Sequence, residues 1–284
     1  EGWVQTRYLD APSTNTHSAR PDTTMSVTSY NLLRDGFEGD FEPMDGDKGR
    51  VIPWTRRAPV IAKRISDLAP DILCLQEVTA RMLNELGSLR EYTGVIGTMG
   101  KSSGKSLQCA ILWRADKFVN EWSYELPTSK WRFVICTLRT RSSPGIVFCV
   151  AAVHPYAGET QSAEDSRAEQ FDALFALFSN ITADVFVVCG DFNSDERLRT
   201  SYENRVHPLF RREGFKNVSG TKVTYNGWAP LTFDYIYVRS TPRYTAKTTV
   251  NASAAKTPIP NLSAGEGSDH TSVTVHLTFQ DADG

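Results

Sequence analysis

Eight side chains able to bind a hard cation or move a proton stand beside apolar, strand-like runs. Asn31 follows SVTSY, Glu77 follows DILCLQ, His154 follows IVFCVAAV, and Asp191 and Asn193 follow VFVVCG. Asp234 lies in TFDYIYV, and the pair Asp269-His270 stands just before TSVTVHLTF. Carboxylates, amides and imidazoles at strand ends are what a site gathered at one rim of a sheet would use. Oxygen donors without a cysteine cluster suit a hard cation such as Mg²⁺, which accepts one or two carboxylates and keeps several waters. Taken singly, each residue is ordinary, because an acidic residue after a strand most often forms a turn. The weight lies in the combination.

The elements that must position these residues follow from hydrophobic period. MSVTSYN alternates and is rich in β-branched residues, which predicts a strand. DILCLQE, DVFVVCGDF and the runs at 107–113, 131–139 and 146–153 are short and apolar, as in a sheet covered on both faces. TFDYIYV and TSVTVHLTF add late strands. Helical spacing marks PWTRRAPVIAKRISDL, with Val60, Ile61, Ile65 and Leu68 in period and Ala69-Pro70 as the stop. TARMLNELGSL and YENRVHPLFRREGF predict two more helices. QSAEDSRAEQFDALFALFSN is the clearest amphipathic helix, with Phe171, Leu174, Phe175 and Phe178 on one face. The expected fold is α+β: a four-layer sandwich of two packed, mostly antiparallel sheets with helices outside.

Residues 1–24 read as a leader segment and 25–284 as one catalytic domain. Residues 34–53 predict a long loop, and 240–268 a second loop-like stretch. No internal repeat is visible. GTMGKSSGKS mimics a phosphate-binding loop, but Met99 occupies the position of the first glycine and no helix follows.

The chain has 284 residues, 40% hydrophobic and 23% charged, which suits one globular domain with a sizeable core. A net charge of −2 excludes a nucleic-acid coat protein with a basic stripe, while leaving a groove for a phosphorylated substrate open. No run reaches the roughly 18 apolar residues of a membrane helix. The chain starts at Glu1 without a signal-peptide pattern, as expected for a processed product or part of a larger multidomain chain. Five cysteines, an odd number without a CxxC pair, all lie in strand-like runs. They are expected to be buried free thiols in an intracellular, reducing compartment, cytoplasmic or nuclear.

The series YN, LQE, GDFN, FDYI and SDH, in that order, resembles the motif series of the endonuclease/exonuclease/phosphatase superfamily from about Ser26 to Phe279. Within it, the sequence is most similar to the deadenylase/nocturnin/Angel-like branch. YNLL at 30–33, Trp54, Arg57, CGDFNS at 189–194, IPN before SDH, and Arg167 with Gln170 carry that likeness. The inositol polyphosphate phosphatase blocks are absent. Leu33 replaces the acidic residue that apurinic endonucleases place two positions after the first Asn.

The resemblance implies a Mg²⁺-dependent phosphoesterase, with Mn²⁺ as a possible substitute. It implies Glu77 as the main metal ligand, assisted by Asn31 and Asp269. Asp191 orients or deprotonates the attacking water, with the general base open between it and a histidine. Asn193 donates to the phosphate. His270, oriented by Asp234, and His154 stabilise phosphoryl oxygens. Trp54 and Arg57 would tether the long loop. Arg34, Lys48 and Arg50 would meet substrate phosphates or be solvated charges. The implied substrate is a phosphodiester of RNA or an RNA 3′ end, attacked by 3′ nucleotide removal or terminal cyclic phosphate opening. The alternatives are a phosphatase for a small nucleotide or other phosphorylated metabolite, and an inactive binding module of the same fold. RNA or a nucleotide is the expected partner, with no membrane; oligomeric state is left open.

Overall fold

Two six-stranded sheets face each other across an apolar core, with helices on their outer faces. The structure, a computed structural model, describes residues 23–35, 52–97, 108–125, 133–142, 145–197, 202–220, 222–225, 230–242, 244–252 and 267–281. One sheet contains β1 (Thr23–Asn31), β2 (Ile72–Val78), β3 (Tyr92–Ile96), β4 (Gln108–Arg114), β11 (Tyr244–Ala252) and β12 (Val273–Asp281). Its order is β11-β12-β1-β2-β4-β3. The other contains β5 (Phe118–Glu125), β6 (Phe133–Thr140), β7 (Val147–Val153), β8 (Val185–Asp191), β9 (Lys216–Asn217) and β10 (Asp234–Ser240). Its order is β5-β6-β7-β8-β10-β9.

Alternation along the strands explains the layers, because successive side chains point to opposite faces. Ile72 and Cys74 of β2 face the core between the sheets, where they meet Cys136, Val150, Val187 and Ile236. Leu73 and Leu75 face outward, against Trp54, Ile61 and Ile65 of α1 (Trp54–Leu68). On the other side, Phe171, Leu174, Phe175 and Phe178 of α3 (Gln161–Phe178) pack with Phe210 of α4 (Val206–Arg212) over the second sheet. Helix α2 (Ala80–Glu85) follows β2 and buries Met82. The expected four-layer arrangement is therefore what is observed. All five cysteines are free and buried, and no described helix is long and apolar enough to cross a membrane.

Among the described strands, only β1/β2 and β7/β8 pair in parallel. A parallel pair needs a crossover, and α1 and α3 supply the two. The sheets share a plan: two antiparallel neighbours, the parallel pair, then two more antiparallel strands. The architecture is thus duplicated although the sequence shows no repeat. In each half, the C-terminal ends of the central parallel pair deliver polar side chains to the same rim.

Four short or polar strands depart from the sequence expectation. Residues 240–268 read as a loop, yet Tyr244–Ala252 forms β11, paired along its length with β12. The segments of β3, β5 and β9 also pair. The expected fourth helix shortens to Val206–Arg212. Residues 36–51, with Lys48 and Arg50, and the glycine-rich stretch 98–107 lie outside the described residues, as do residues 1–22.

Gly190 lies where β7 and β8 approach closely, opposite Val153. A Cβ there would sit 2.0 Å from the Val153 carbonyl oxygen. Gly190→Ala should therefore push β7 and β8 apart and cost about 3 kcal/mol or more. That corresponds to a fall in melting temperature of roughly 6–12 °C for a domain of this size. A thermal melt within about 2 °C of wild type would contradict the close approach.

Candidate active site

The first side of the site is the end of β1. After Asn31, the chain turns with Leu33 at φ 53°, and the Leu33 N–H donates to Asn31 Oδ1 at 3.0 Å. Arg57 of α1, fully buried, holds this turn. Its guanidinium donates to the carbonyls of Leu32 (2.7 Å), Leu33 (2.7 Å), Ile52 (3.0 Å) and Gly267 (3.1 Å). The Trp54 ring lies 5.4 Å from it. A planar fork with five donors is suited to gathering several carbonyls at once. Arg57 thereby fixes the exit of β1 to the segment that leads into Ser268.

The second strand places Glu77. A bulge between Leu75 and Val78 interrupts the β2/β4 ladder, and Glu77 takes φ 58°. Bulges re-aim a side chain, and here the carboxylate reaches the rim. Glu77 Oε1 accepts from Asn31 Nδ2 at 3.2 Å, and Oε2 accepts from the Arg34 backbone N–H at 3.1 Å. The same Asn31 nitrogen donates to Asp191 Oδ2 at 3.0 Å. Asn31 thus braces a carboxylate of one sheet against a carboxylate of the other.

From the second sheet come His154, after β7, and Asp191, at the end of β8. Asn193, at φ 49°, donates its backbone N–H to Asp191 Oδ1 at 2.8 Å. Its side-chain nitrogen donates to the Pro155 carbonyl at 3.2 Å. Arg167 and Glu164 of α3, both fully buried, form an ion pair at 2.8 Å. Arg167 donates to the carbonyls of Tyr156 (3.0 Å) and Gly158 (2.9 Å). Glu164 accepts from the backbone N–H groups of Arg205 (2.8 Å) and Val206 (3.1 Å). Arg167 therefore does for the loop after β7 what Arg57 does for the turn after β1.

The third contribution is Asp234, opposite Asp191 in the β8/β10 register. Asp234 Oδ2 lies 2.8 Å from His270 Nδ1, which turns His270 Nε2 toward Asp191 Oδ2 at 3.5 Å. His154 Nε2 is 3.5 Å from the same Asp191 oxygen and 3.6 Å from Glu77 Oε1. Ser268 Oγ donates to the Asn31 carbonyl at 2.7 Å and accepts from the His270 N–H at 3.2 Å. The Tyr225 ring packs 5.0 Å from the His270 ring. Asp269 is buried beside this pair.

The eight residues singled out from sequence are thus gathered at one rim. Arg34 is corrected in one respect: it is buried rather than a solvated loop charge, and its N–H is on Glu77. Sequence reasoning gave no roles to Ser268, Glu164 or Tyr225. Ser268 sits inside the SDH motif, whereas nothing local marks Glu164 or Tyr225.

The electrostatics are those of crowded acids around two imidazoles. Burial alone would raise the Asp191 carboxyl, but His270, His154 and the Asn193 N–H hold it at about 2. Burial would lower His270, yet Asp234, Asp191 and Asp269 hold it well above the usual histidine range. Burial raises Asp234, with His270 opposing. Asp269 is pushed up to about 6 by burial, with His270 opposing and Glu77 and Asp191 adding to the rise. The site therefore has an excess of negative charge and hard oxygen donors, which suits a divalent cation. Among the described residues, no three His, Cys, Asp or Glu side chains already surround one cation position. Water would complete the coordination shell, as Mg²⁺ prefers.

Comparison with known proteins agrees with this geometry. The profile of the Endonuclease/Exonuclease/phosphatase family matches residues 28–270. Nocturnin of Drosophila melanogaster is 28% identical over 160 residues, covering 51% of this chain and 25% of that protein. Protein angel homolog 2 of Homo sapiens is 28% identical over 200 residues, covering 60% of this chain and 34% of that protein. The chain thus spans between a quarter and about a third of these relatives. A crystal structure of ANGEL2, described as a 2′,3′-cyclic phosphatase in complex with adenosine-2′,3′-vanadate, has the same fold. It superposes with a TM-score of 0.71 at 20% identity, covering 90% of this chain and 96% of that one.

Proposed function

The chain belongs to the Endonuclease/Exonuclease/phosphatase family, and from that membership we propose that it is a divalent-metal-dependent phosphoesterase. Its proposed substrate is a phosphodiester of RNA or of an RNA 3′ end, opened by 3′ nucleotide removal or at a terminal cyclic phosphate. The observation that carries the reading is the junction at Asp191 Oδ2, which has Asn31 Nδ2 at 3.0 Å and both His154 and His270 at 3.5 Å. Acid, amide and imidazole groups from both sheets meet there, around Glu77.

The assigned roles follow from these positions. Mg²⁺, or Mn²⁺ in its place, would be held by Glu77, assisted by Asn31 and by Asp269 through water, and when bound it supplies positive charge to the phosphoryl oxygens and acidifies water. Asn31 also fixes where the Glu77 carboxylate lies, because its side-chain nitrogen donates to Glu77 Oε1. Asp191, kept ionised by its imidazole neighbours, orients the attacking water. His270, with Asp234 behind it, and His154 present N–H donors to the charge that develops on the phosphoryl oxygens. Asn193 holds the Asp191 carboxylate and the Pro155 loop in register. Arg34, with Lys48 and Arg50, is the proposed cationic side of the substrate groove. The likeness to ANGEL2 supports a nucleotide-bearing substrate. Five buried free thiols support an intracellular, reducing compartment.

A second reading, a phosphatase for a small nucleotide, is favoured by the net charge of −2, which provides no basic stripe for a long polyanion. Labelled oligoribonucleotides, some ending in a 2′,3′-cyclic phosphate, and free nucleotides separate the two. With Mg²⁺ the oligoribonucleotides should be hydrolysed, a chelator should stop the reaction, and Mn²⁺ should restore it. Turnover of nucleotides alone would select the second reading. Turnover of neither would point to a non-catalytic binding module.

A further inference from the structure

Thr224 is bonded to both segments that carry the His270–Asp234 pair, and it is buried, at 2% exposure. Its Oγ1 accepts from the backbone N–H groups of Phe233 and Asp234, each at 3.0 Å. Its carbonyl accepts from the N–H of Thr271, the residue after His270, at 2.8 Å. Its own N–H donates to the Leu231 carbonyl at 2.9 Å, and the next residue, Tyr225, bridges to both Leu231 and His270. One residue thus ties the start of β10, with Asp234, to the segment with His270.

The Thr224 hydroxyl still has a hydrogen to place. A threonine oxygen offers two lone pairs and one hydrogen. Two N–H groups occupy the lone pairs, so the hydrogen is left to be donated. Asp234 stands beside it. Burial raises the Asp234 carboxyl, and the Thr224 hydroxyl, after His270, is among the groups that oppose the rise. Asp234 Oδ2 is taken by His270 Nδ1 at 2.8 Å, whereas Oδ1 is buried without a hydrogen-bond partner among the described residues. An unmet buried acceptor is costly and uncommon. A donor in need of an acceptor and an acceptor in need of a donor therefore stand on neighbouring side chains. Closing a turn would have required only the two N–H groups.

We propose that Thr224 is a positioning residue for the hydrolysis: its hydroxyl donates to Asp234 Oδ1, so that Asp234 presents Oδ2 to the His270 ring in one orientation. The inference rests on the phosphoesterase reading above. A carboxylate held at one oxygen can turn about its last torsion, which is broad, and donors at both oxygens stop that turning. Partners that orient a site from behind contribute about 10- to 100-fold to activity.

The test compares Thr224→Val, which keeps the shape and deletes the hydroxyl, with Thr224→Ser, which keeps the hydroxyl. Thr224→Ala takes the place of Thr224→Val if that variant does not fold. On an oligoribonucleotide, the hydroxyl-free variant should lose about 10- to 100-fold in kcat with little change in KM, while Thr224→Ser keeps most of the wild-type rate. In an Asp234→Asn background the same substitution should add almost nothing, because both changes act through one carboxylate. A second readout needs no substrate. The His270 Nδ1–H proton should give a slowly exchanging NMR signal in wild type and Thr224→Ser, and that signal should broaden or vanish without the hydroxyl.

An unchanged kcat or an unchanged His270 signal in the folded, hydroxyl-free variant would overturn the role and leave the phosphoesterase reading standing. So would a Thr224→Ser as impaired as Thr224→Val, or the full loss repeated in the Asp234→Asn background. Wild type inactive on oligoribonucleotides and on free nucleotides would overturn the phosphoesterase reading, and with it a role in hydrolysis.

Discussion

Glu77→Ala should lower kcat/KM for metal-dependent hydrolysis by about 10³-fold or more, because a bound metal contributes several kcal/mol to the transition state. No neighbour can take its place. Leu33 is apolar, Asn31 is an uncharged amide whose oxygen already accepts the Leu33 N–H, and Asp269 is assigned its contact through water. The folded chain should survive the change, since Glu77 projects from a bulge at the rim rather than into the core. Its loss also removes one contributor to the rise in Asp269. Mg²⁺ should raise the melting temperature of wild type by mass action and leave that of Glu77→Ala unmoved. An equal rise in both would place the ion elsewhere.

His270→Ala should reduce kcat by about 10²- to 10⁴-fold, the range for losing a positioned proton donor or acceptor. Asp234→Asn should bring a loss of the same order while preserving shape, because it removes the carboxylate that orients the His270 ring and helps to keep it protonated. The two residues act as a unit. The double variant should therefore be little worse than the more damaging single one, and additive losses would break the pairing. His270→Ala also leaves Asp234 buried beside Asp191, so it should be the less stable of the two single variants, by about 3 kcal/mol or more.

The strands that the sequence conceals are the sheet edges. Both edges of one sheet, β3 and β11, and both edges of the other, β5 and β9, escape an apolar-run reading. The reason is physical. A central strand is covered on both faces and reads as DILCLQE or DVFVVCGDF, whereas an edge strand is half solvated and carries charge. YTAKTTVNA in β11 is polar enough to pass for a loop, and only its threonines and valine hint at a strand. The candidate site residues Asn31, Glu77, His154 and Asp191 are easier to read because they sit at the ends of those central, doubly covered strands. Their supports were harder. Glu164 lies three positions before Arg167 on an ordinary helical turn, and its role as acceptor for Arg205 and Val206 depends on contacts about 40 residues away in sequence. Arg57 was expected to tether the loop, but no spacing reveals that it collects four carbonyls from three segments.

The duplicated plan also explains why the site forms where it does. Each half supplies a parallel strand pair, a crossover helix and a buried arginine that fixes the loop after the first strand of the pair. Neither half makes the site alone. Asn31 joins them, by one amide nitrogen shared between Glu77 and Asp191.

The most direct test of the account is the initial rate of hydrolysis of a labelled oligoribonucleotide in Mg²⁺, measured side by side for wild type and Glu77→Ala. The account predicts a wild-type rate that a chelator abolishes, and a Glu77→Ala rate lower by about 10³-fold or more in the same Mg²⁺. Turnover by Glu77→Ala at close to the wild-type rate would contradict it.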